Sequence, residues 1–247
     1  MKETGKCRLC LQEKQLRKSH VIPEFFYKDL YDDKHKFFRL SNDPKKVENT
    51  KFKGIHERLL CGDCEKLLNE SYEQYVHDVL RNRIKIKRTQ TPDTIILEGL
   101  DYARFKLFLI SILWRCHVAE GSEFSQVNLG SIHGERLRKM IVDNEPGFSY
   151  EYGCLVFFSR KMTAVLNELI YPPEPMVFRE FGVYRAVFGG LFWAYIISDR
   201  PNTFPYKQFF ISEDGKMIIR RNDKFSTEFL QGIAADFQKA RKSRGTA

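Results

Sequence analysis

The sequences Cys7-Arg8-Leu9-Cys10 and Cys61-Gly62-Asp63-Cys64 are two cysteine pairs with the same spacing, and Ser19-His20-Val21-Ile22-Pro23 lies between them. Two residues between cysteines allow both sulfurs of a pair to reach one tetrahedral ion. The pattern therefore predicts a structural zinc ion bound by Cys7, Cys10, Cys61 and Cys64. A redox-active CxxC motif and a chance pairing are the alternatives.

The size and charge of the chain limit the classes of protein it can belong to. Its 247 residues suit one large domain or a small domain joined to a medium one, and 43% hydrophobic residues are enough for a core. The net charge is +9, and residues 1–90 carry 21 Lys and Arg side chains against 14 Asp and Glu side chains. A basic segment attracts polyanions, nucleic acid first, although solubility alone is an alternative reason for such a charge.

The remaining cysteines and the apolar segments indicate the compartment. Cys116 and Cys154 lie among apolar residues and are expected to be buried thiols rather than a disulfide. The first residues show no apolar signal segment, and the longest apolar run, residues 107–114, is too short to span a bilayer. We therefore expect a cytoplasmic protein with no membrane partner.

The periodicity divides the chain into residues 1–90, a zinc module with a basic strand, and residues 91–247. In the first part, residues 27–55 are polar and lysine-rich and are predicted to form a long loop. Apolar residues at helical spacing predict a helix from Cys61 to about Leu80.

The alternation of basic and apolar residues over 81–88 predicts a strand with a basic face. Arg81, Arg83, Lys85 and Lys87 would follow phosphates and bind nucleic acid, with the isoleucines between them packed inward. A solvated edge strand protected by its charges is the alternative.

Residues 91–247 predict an α+β domain built on an antiparallel sheet with helices. Asp101 can cap a helix to about residue 120, and further helices are expected at 134–143 and 225–241. Strands are predicted at 150–159, 176–188, 191–198, 207–212 and 216–220, with hairpin turns at Gly189-Gly190 and Asp214-Gly215. No motif in this part names a chemistry or an oligomeric state, and docking to a partner protein is one role it could have.

The order of motifs in residues 7–70 resembles the HNH, or ββα-metal, endonuclease superfamily in its zinc-stabilised treble-clef form. The resemblance rests on the first CxxC pair, on His20-Val21-Ile22-Pro23 and on the stretch from His56 to Glu65 that contains the second pair. It implies an N-terminal treble clef with a ββα element. It also implies a hydrolase that cuts phosphodiester bonds, with DNA as the expected substrate, in a role such as defence against phage or in a mobile element.

The resemblance also assigns roles by position. His20 would be the general base, since an imidazole has a pKa near neutrality. His56 would orient or help to bind the substrate. Glu65 would bind a catalytic cation, Mg²⁺ or Mn²⁺, which prefers carboxylate oxygens.

Ser19 is the departure from the family pattern, which usually has Asp, Glu or His there as a ligand of the catalytic metal. Glu24 or Asp63 could supply the missing carboxylate, or Asn69 and Glu73, which follow Glu65 at spacings of four, could supply ligand oxygens from the same helix face. The row Glu65, Asn69, Glu73 and His77 could equally be the solvent side of an amphipathic helix. The alternative function is therefore a catalytically inactive zinc module that binds nucleic acid or a partner protein.

Overall fold

The computed structural model of the chain describes residues 3–31, 33, 36–39, 49–52, 54–201 and 203–244. Within these residues it is a mixed α+β protein with twelve strands and six α-helices. A two-stranded ladder, a three-stranded sheet and a seven-stranded sheet hold the strands.

The N-terminal sheet is antiparallel and has the order β1-β2-β5. Its strands are β1 (Thr4–Lys6), β2 (Glu13–His20) and β5 (His56–Cys61). Two short 3₁₀ turns follow β2, and the ladder of β3 (Lys36–Arg39) with β4 (Asn49–Phe52) precedes β5. The segment predicted as one long loop therefore contains regular structure, and its residues 40–48 lie outside the described part of the chain.

The helix predicted from Cys61 is present and is interrupted by a wider turn. It consists of α1 (Gly62–Leu68), a π-helical turn (Asn69–Glu73) and α2 (Gln74–Leu80). Its apolar stripe is buried as the spacing predicts, with Tyr72 fully buried and its hydroxyl donating to the Ile141 carbonyl at 3.0 Å.

The large sheet has the order β6-β7-β12-β8-β11-β10-β9 and is antiparallel except for the pair β12 and β8. Its strands are β6 (Lys87–Gln90), β7 (Thr94–Glu98), β8 (Cys154–Phe158), β9 (Tyr171–Phe178), β10 (Phe181–Phe188), β11 (Leu191–Ile196) and β12 (Met217–Arg221). Gly189 and Gly190 connect β10 to β11 with φ of 61° and 73°, which is why a two-glycine turn is used there. The edge strand β9 contains three prolines, which an edge tolerates because one side of it needs no ladder bonds.

Four helices complete the second part: α3 (Tyr102–Val118), α4 (Gly130–Asp143), α5 (Thr163–Asn167) and α6 (Asp223–Arg244). Asp101 caps α3 by accepting from the Arg104 amide at 3.0 Å. Most of α3 is buried, as expected for a helix that is apolar nearly all round. One hydrophobic cluster runs continuously from the cysteine pairs through α3 to β12. The division of the chain at residue 90 stays a prediction.

Several sequence-based predictions of strands are wrong. Residues 81–86 form turns and extended chain rather than a strand, and β6 begins only at Lys87, as a member of the large sheet. Residues 207–209 form a 3₁₀ turn, so Asp214-Gly215 makes a turn but joins no hairpin. The run 176–188 is split into β9 and β10, because Arg179 takes a left-handed conformation with φ of 55°. None of the helices in the described part of the chain is long and apolar enough to cross a bilayer.

Candidate functional site: a four-cysteine centre beside a polar cavity

The four paired cysteines meet at one point, as the sequence predicts. Cys7 and Cys10 come from the loop between β1 and β2, Cys61 ends β5, and Cys64 lies in the first turn of α1. All four sulfurs lie within 4.8 Å of one another, and the Sγ atoms of Cys10 and Cys61 are 3.9 Å apart. Bonds of about 2.3 Å in a zinc tetrahedron place sulfurs about 3.8 Å apart, so the geometry fits zinc closely.

The surroundings of the sulfurs also suit a metal ion. Cys7, Cys61 and Cys64 are almost completely buried, and the Cys61 amide donates to the Cys7 Sγ at 3.3 Å. Burial, together with the neighbouring thiols, raises the pKa of the Cys64 thiol above its ordinary value. A dication supplies the positive charge that makes four thiolates stable in such a place. The residues present therefore can hold a structural zinc ion.

The strands β2 and β5 place two histidines opposite each other. Between the pairs Arg17 with Leu60 and Ser19 with Glu57, β5 has one residue more than β2, so the ladder contains a bulge. Bulges re-aim side chains and are common beside active sites. Beyond the bulge His20 pairs directly with His56, and their ring centroids are 5.7 Å apart.

His20 and Glu65 line the same cavity, whose volume is about 520 Å³. Its wall includes Glu24, Phe25 and Arg115, and two exposed lysines, Lys28 and Lys66. His56 is not among the lining residues, and its ring contacts that of His20. Two of the three residues predicted to be catalytic are thus brought together at one cavity, and the third contacts one of them. Their catalytic roles stay predictions.

The whole row Glu65, Asn69, Glu73 and His77 lines this cavity. In a regular α-helix four residues turn about 40° more than one full turn. Three such steps, from Glu65 to His77, would therefore rotate the side-chain direction around the helix axis by about 120°. The π turn at 69–73 takes up about one extra residue and so cancels about 100° of this drift. The interruption of the helix is what keeps the four side chains on one line, and π turns of this kind are frequent at functional sites.

Arg115, in the last turn of α3, is a buried charged residue of the cavity that the sequence pattern did not predict. Its side chain is 2% exposed. Its Nη1 donates to the His20 carbonyl at 2.8 Å and to the Glu73 Oε1 at 2.7 Å, and its Nε donates to the Ser111 carbonyl at 3.3 Å. Removing one partner of such a buried ion pair typically costs about 3–5 kcal/mol, because the other charge is left uncompensated.

Burial and charge shift the titration of the cavity groups. Burial raises the pKa of the Glu65 carboxyl, and Arg115 opposes this shift by favouring the carboxylate. Burial lowers the pKa values of His56 and His77, so both imidazoles favour the neutral form. The site therefore combines a carboxyl group near a guanidinium with two histidines that favour the neutral imidazole.

Ser19 is completely buried where the family pattern has an acidic ligand. No group in the described part of the chain meets its hydroxyl with good hydrogen-bond geometry, but the hydroxyl lies close enough to Glu65 to favour the charged carboxylate. Among the described residues, the four cysteines form the one group of His, Cys, Asp and Glu side chains close enough together to ligate an ion. Of the carboxylates suggested to replace the missing ligand, Asp63 is exposed and binds Lys14, and Glu73 binds Arg115.

The basic residues predicted to bind nucleic acid lie outside the cavity lining and share no strand face, which corrects the geometry expected for them. All four are exposed. Arg83 contacts Asp78 at 3.4 Å, and Lys87 contacts Glu98 at 2.7 Å. Ile84 and Ile86 still pack against the core, so alternate residues point outward even without a strand.

Comparison of the chain with protein-family models, with curated proteins and with solved structures finds no significant match.

Proposed function

We propose that the protein is an HNH-like endonuclease that hydrolyses phosphodiester bonds in nucleic acid, with DNA as the expected substrate. The observation that supports this most directly is that His20 and Glu65 line one cavity immediately beside the four-cysteine centre. Zinc bound by the cysteines would fix the end of β5 and the start of α1, and so the carboxylate that follows Cys64. A role in phage defence or in a mobile element is part of the same proposal.

In this mechanism the imidazole of His20 takes a proton from a water molecule as its oxygen attacks phosphorus. The new P–O bond forms as the bond to the leaving oxygen breaks. Glu65 would hold a divalent cation, whose charge would stabilise the negative charge on that oxygen. Mg²⁺ is usually held by one or two carboxylates together with water and substrate phosphates, and Glu65 would supply one such carboxylate. His56 packs against His20 and restricts its orientation.

The exposed basic residues give the proposed enzyme a surface for the substrate backbone. Arg81, Arg83, Lys85 and Lys87 extend from the end of α2 into β6, within the more basic part of the chain. Contacts of this type release counterions, so binding weakens as salt rises. Replacing both Arg83 and Lys85 by Ala should flatten the dependence of log affinity on log salt.

The experiment that tests the proposal is cleavage of plasmid DNA, and in parallel of RNA, with Mg²⁺ or Mn²⁺. His20→Ala should abolish cleavage, and Glu65→Gln should reduce it and raise the cation concentration needed. His133→Ala is the matched control, because His133 is a half-buried histidine that bonds the Tyr152 hydroxyl away from the cavity. No cleavage of any substrate with any divalent ion, or equal activity of His20→Ala and the parent, would refute the proposal.

The second candidate is a zinc module that binds nucleic acid or a protein partner without cutting, and buried Ser19 is the observation that favours it. A neutral hydroxyl is a weaker ligand for a hard cation than a carboxylate. In that case His20→Ala leaves affinity for DNA unchanged, and the parent protein binds without cleaving. Absence of DNA and RNA affinity at low salt would exclude the nucleic-acid form of this candidate.

A further inference from the structure

Arg115 belongs to the second part of the chain but makes two of its three polar contacts with the first part. The helix that carries it supplies the Ser111 carbonyl, while the His20 carbonyl comes from β2 and the Glu73 carboxylate from the π turn. The same guanidinium nitrogen, Nη1, serves both distant acceptors. One side chain therefore fixes the end of β2 relative to the helix that carries the polar row.

The chemistry of this contact suits arginine better than lysine. A guanidinium is always charged and presents several donors in a rigid plane, whereas a lysine ammonium is a point charge on a flexible stem. A charge this deeply buried is tolerated only when it is paired and hydrogen-bonded. The pairing with Glu73 and the bond to the backbone of His20 meet that condition at Nη1, while the buried Nη2 has no hydrogen-bond partner among the described residues.

We propose that Arg115 is a positioning residue of the site, which holds the backbone of His20 and the carboxylate of Glu73 in register and so couples α3 to the cavity. The catalytic part of this inference rests on the proposed function. The structural part does not, because it concerns only where His20 is held.

Arg104 provides a matched control for the test. It lies on the same helix, stacks on the Tyr75 ring, and donates to the Ser71 and Glu70 carbonyls at 2.8 and 3.2 Å. It therefore also joins α3 to the π turn of the first part, but neither Arg104 nor its two acceptor residues line the cavity. Arg104→Met should lower thermal stability without affecting the geometry at His20.

The test compares Arg115→Met, Arg115→Lys, Glu73→Gln and Arg104→Met in the full chain with zinc bound. One readout is the kcat and KM for plasmid cleavage. The other is the NMR signal of the His20 Cε1–H, assigned by its loss in His20→Ala. In Arg115→Met we expect kcat to fall at least thirtyfold with KM changed less than threefold, and the His20 signal to move. Arg115→Lys should recover part of the kcat, and Arg104→Met should keep both readouts at parent values.

The outcomes separate this inference from the proposed function. If no variant and not even the parent cleaves nucleic acid, the NMR readout decides alone: a shift specific to Arg115→Met supports positioning while the nuclease proposal fails. If Arg115→Met does not fold, Glu73→Gln and Arg115→Lys carry the test, and displaced His20 signals in both support it. Unmoved His20 signals in the folded Arg115 variants, with a kcat loss no greater than that of Arg104→Met, would overturn the inference.

Discussion

Replacing Cys10 by Ser should release the zinc ion and destabilise the N-terminal sheet. Cys10 is the most exposed of the four cysteines, whereas Cys7, Cys61 and Cys64 are nearly completely buried. A hydroxyl at position 10 therefore adds little cost of its own, and the effect of this substitution reports mainly the lost metal bond.

The expected magnitude follows from the geometry of the centre. The sulfurs are already within 4.8 Å of one another, against about 3.8 Å in a zinc tetrahedron, so binding needs only a small rearrangement. Structural zinc sites of this kind contribute on the order of 10 kcal/mol to folding. Whole domains are stable by about 5–15 kcal/mol, so losing the ion removes a contribution comparable with the entire stability. Because the core is continuous with α3, unfolding should extend beyond the first sheet.

The assay is metal content by mass spectrometry together with thermal unfolding, with and without a chelator. The parent should carry one zinc ion per chain, and Cys10→Ser should carry little and melt at a much lower temperature. Cys116→Ala is the control, since Cys116 is a buried thiol outside the centre, and this variant should keep its zinc. A parent protein that neither carries nor binds zinc, or a Cys10→Ser variant with unchanged zinc and melting temperature, would refute the argument.

Three further predictions concern stability. Burial lowers the pKa of Lys106 to about 7, so the unfolded chain binds more protons than the folded chain between that pH and about 10.5. The free energy of unfolding should therefore rise with pH across this window. Urea unfolding measured at a series of pH values should show a smaller rise for Lys106→Met. Gly54 has φ of 73°, and a Cβ there would lie 3.0 Å from the His20 Cδ2. In urea unfolding, Gly54→Ala should therefore lower the free energy of unfolding more than Gly99→Ala does, because at Gly99 φ is 84° but no atom lies within 4 Å of the Cβ position. Equal decreases in the two variants would contradict this prediction. Asp101→Ala removes the cap of α3 and should cost about 1 kcal/mol in the same assay, an unchanged value being the contrary result.

Features encoded by neighbouring residues could be predicted from the sequence. The cysteine spacing predicts the four-sulfur centre because tetrahedral coordination imposes that spacing. The cap at Asp101 and the two-glycine turn at Gly189 follow from local backbone chemistry in the same way.

Features set by tertiary packing could not be predicted in that way. The alternation over residues 81–88 has the period of a strand, but the chain turns after α2 and pairs only from Lys87. Spacing by four identified the row from Glu65 to His77, yet nothing in the sequence predicted the π turn that aligns it. From the sequence alone, the row was therefore equally compatible with a solvent-exposed helix face. The structure shows instead that all four side chains line one cavity.

Arg115 shows which signal the sequence did contain. When a helix is apolar nearly all round, an arginine near its end is usually interpreted as a solvent-exposed residue that marks where the helix leaves the core. A side chain there has helical neighbours three and four residues away, and in α3 these positions offer no carboxylate. If the helix is buried to its last turn, the guanidinium must then find its acceptors on another segment, since an unpaired buried charge is too costly. That requirement points to an acidic residue elsewhere in the chain, and Glu73, in the row that follows the second cysteine pair, is the residue that meets it.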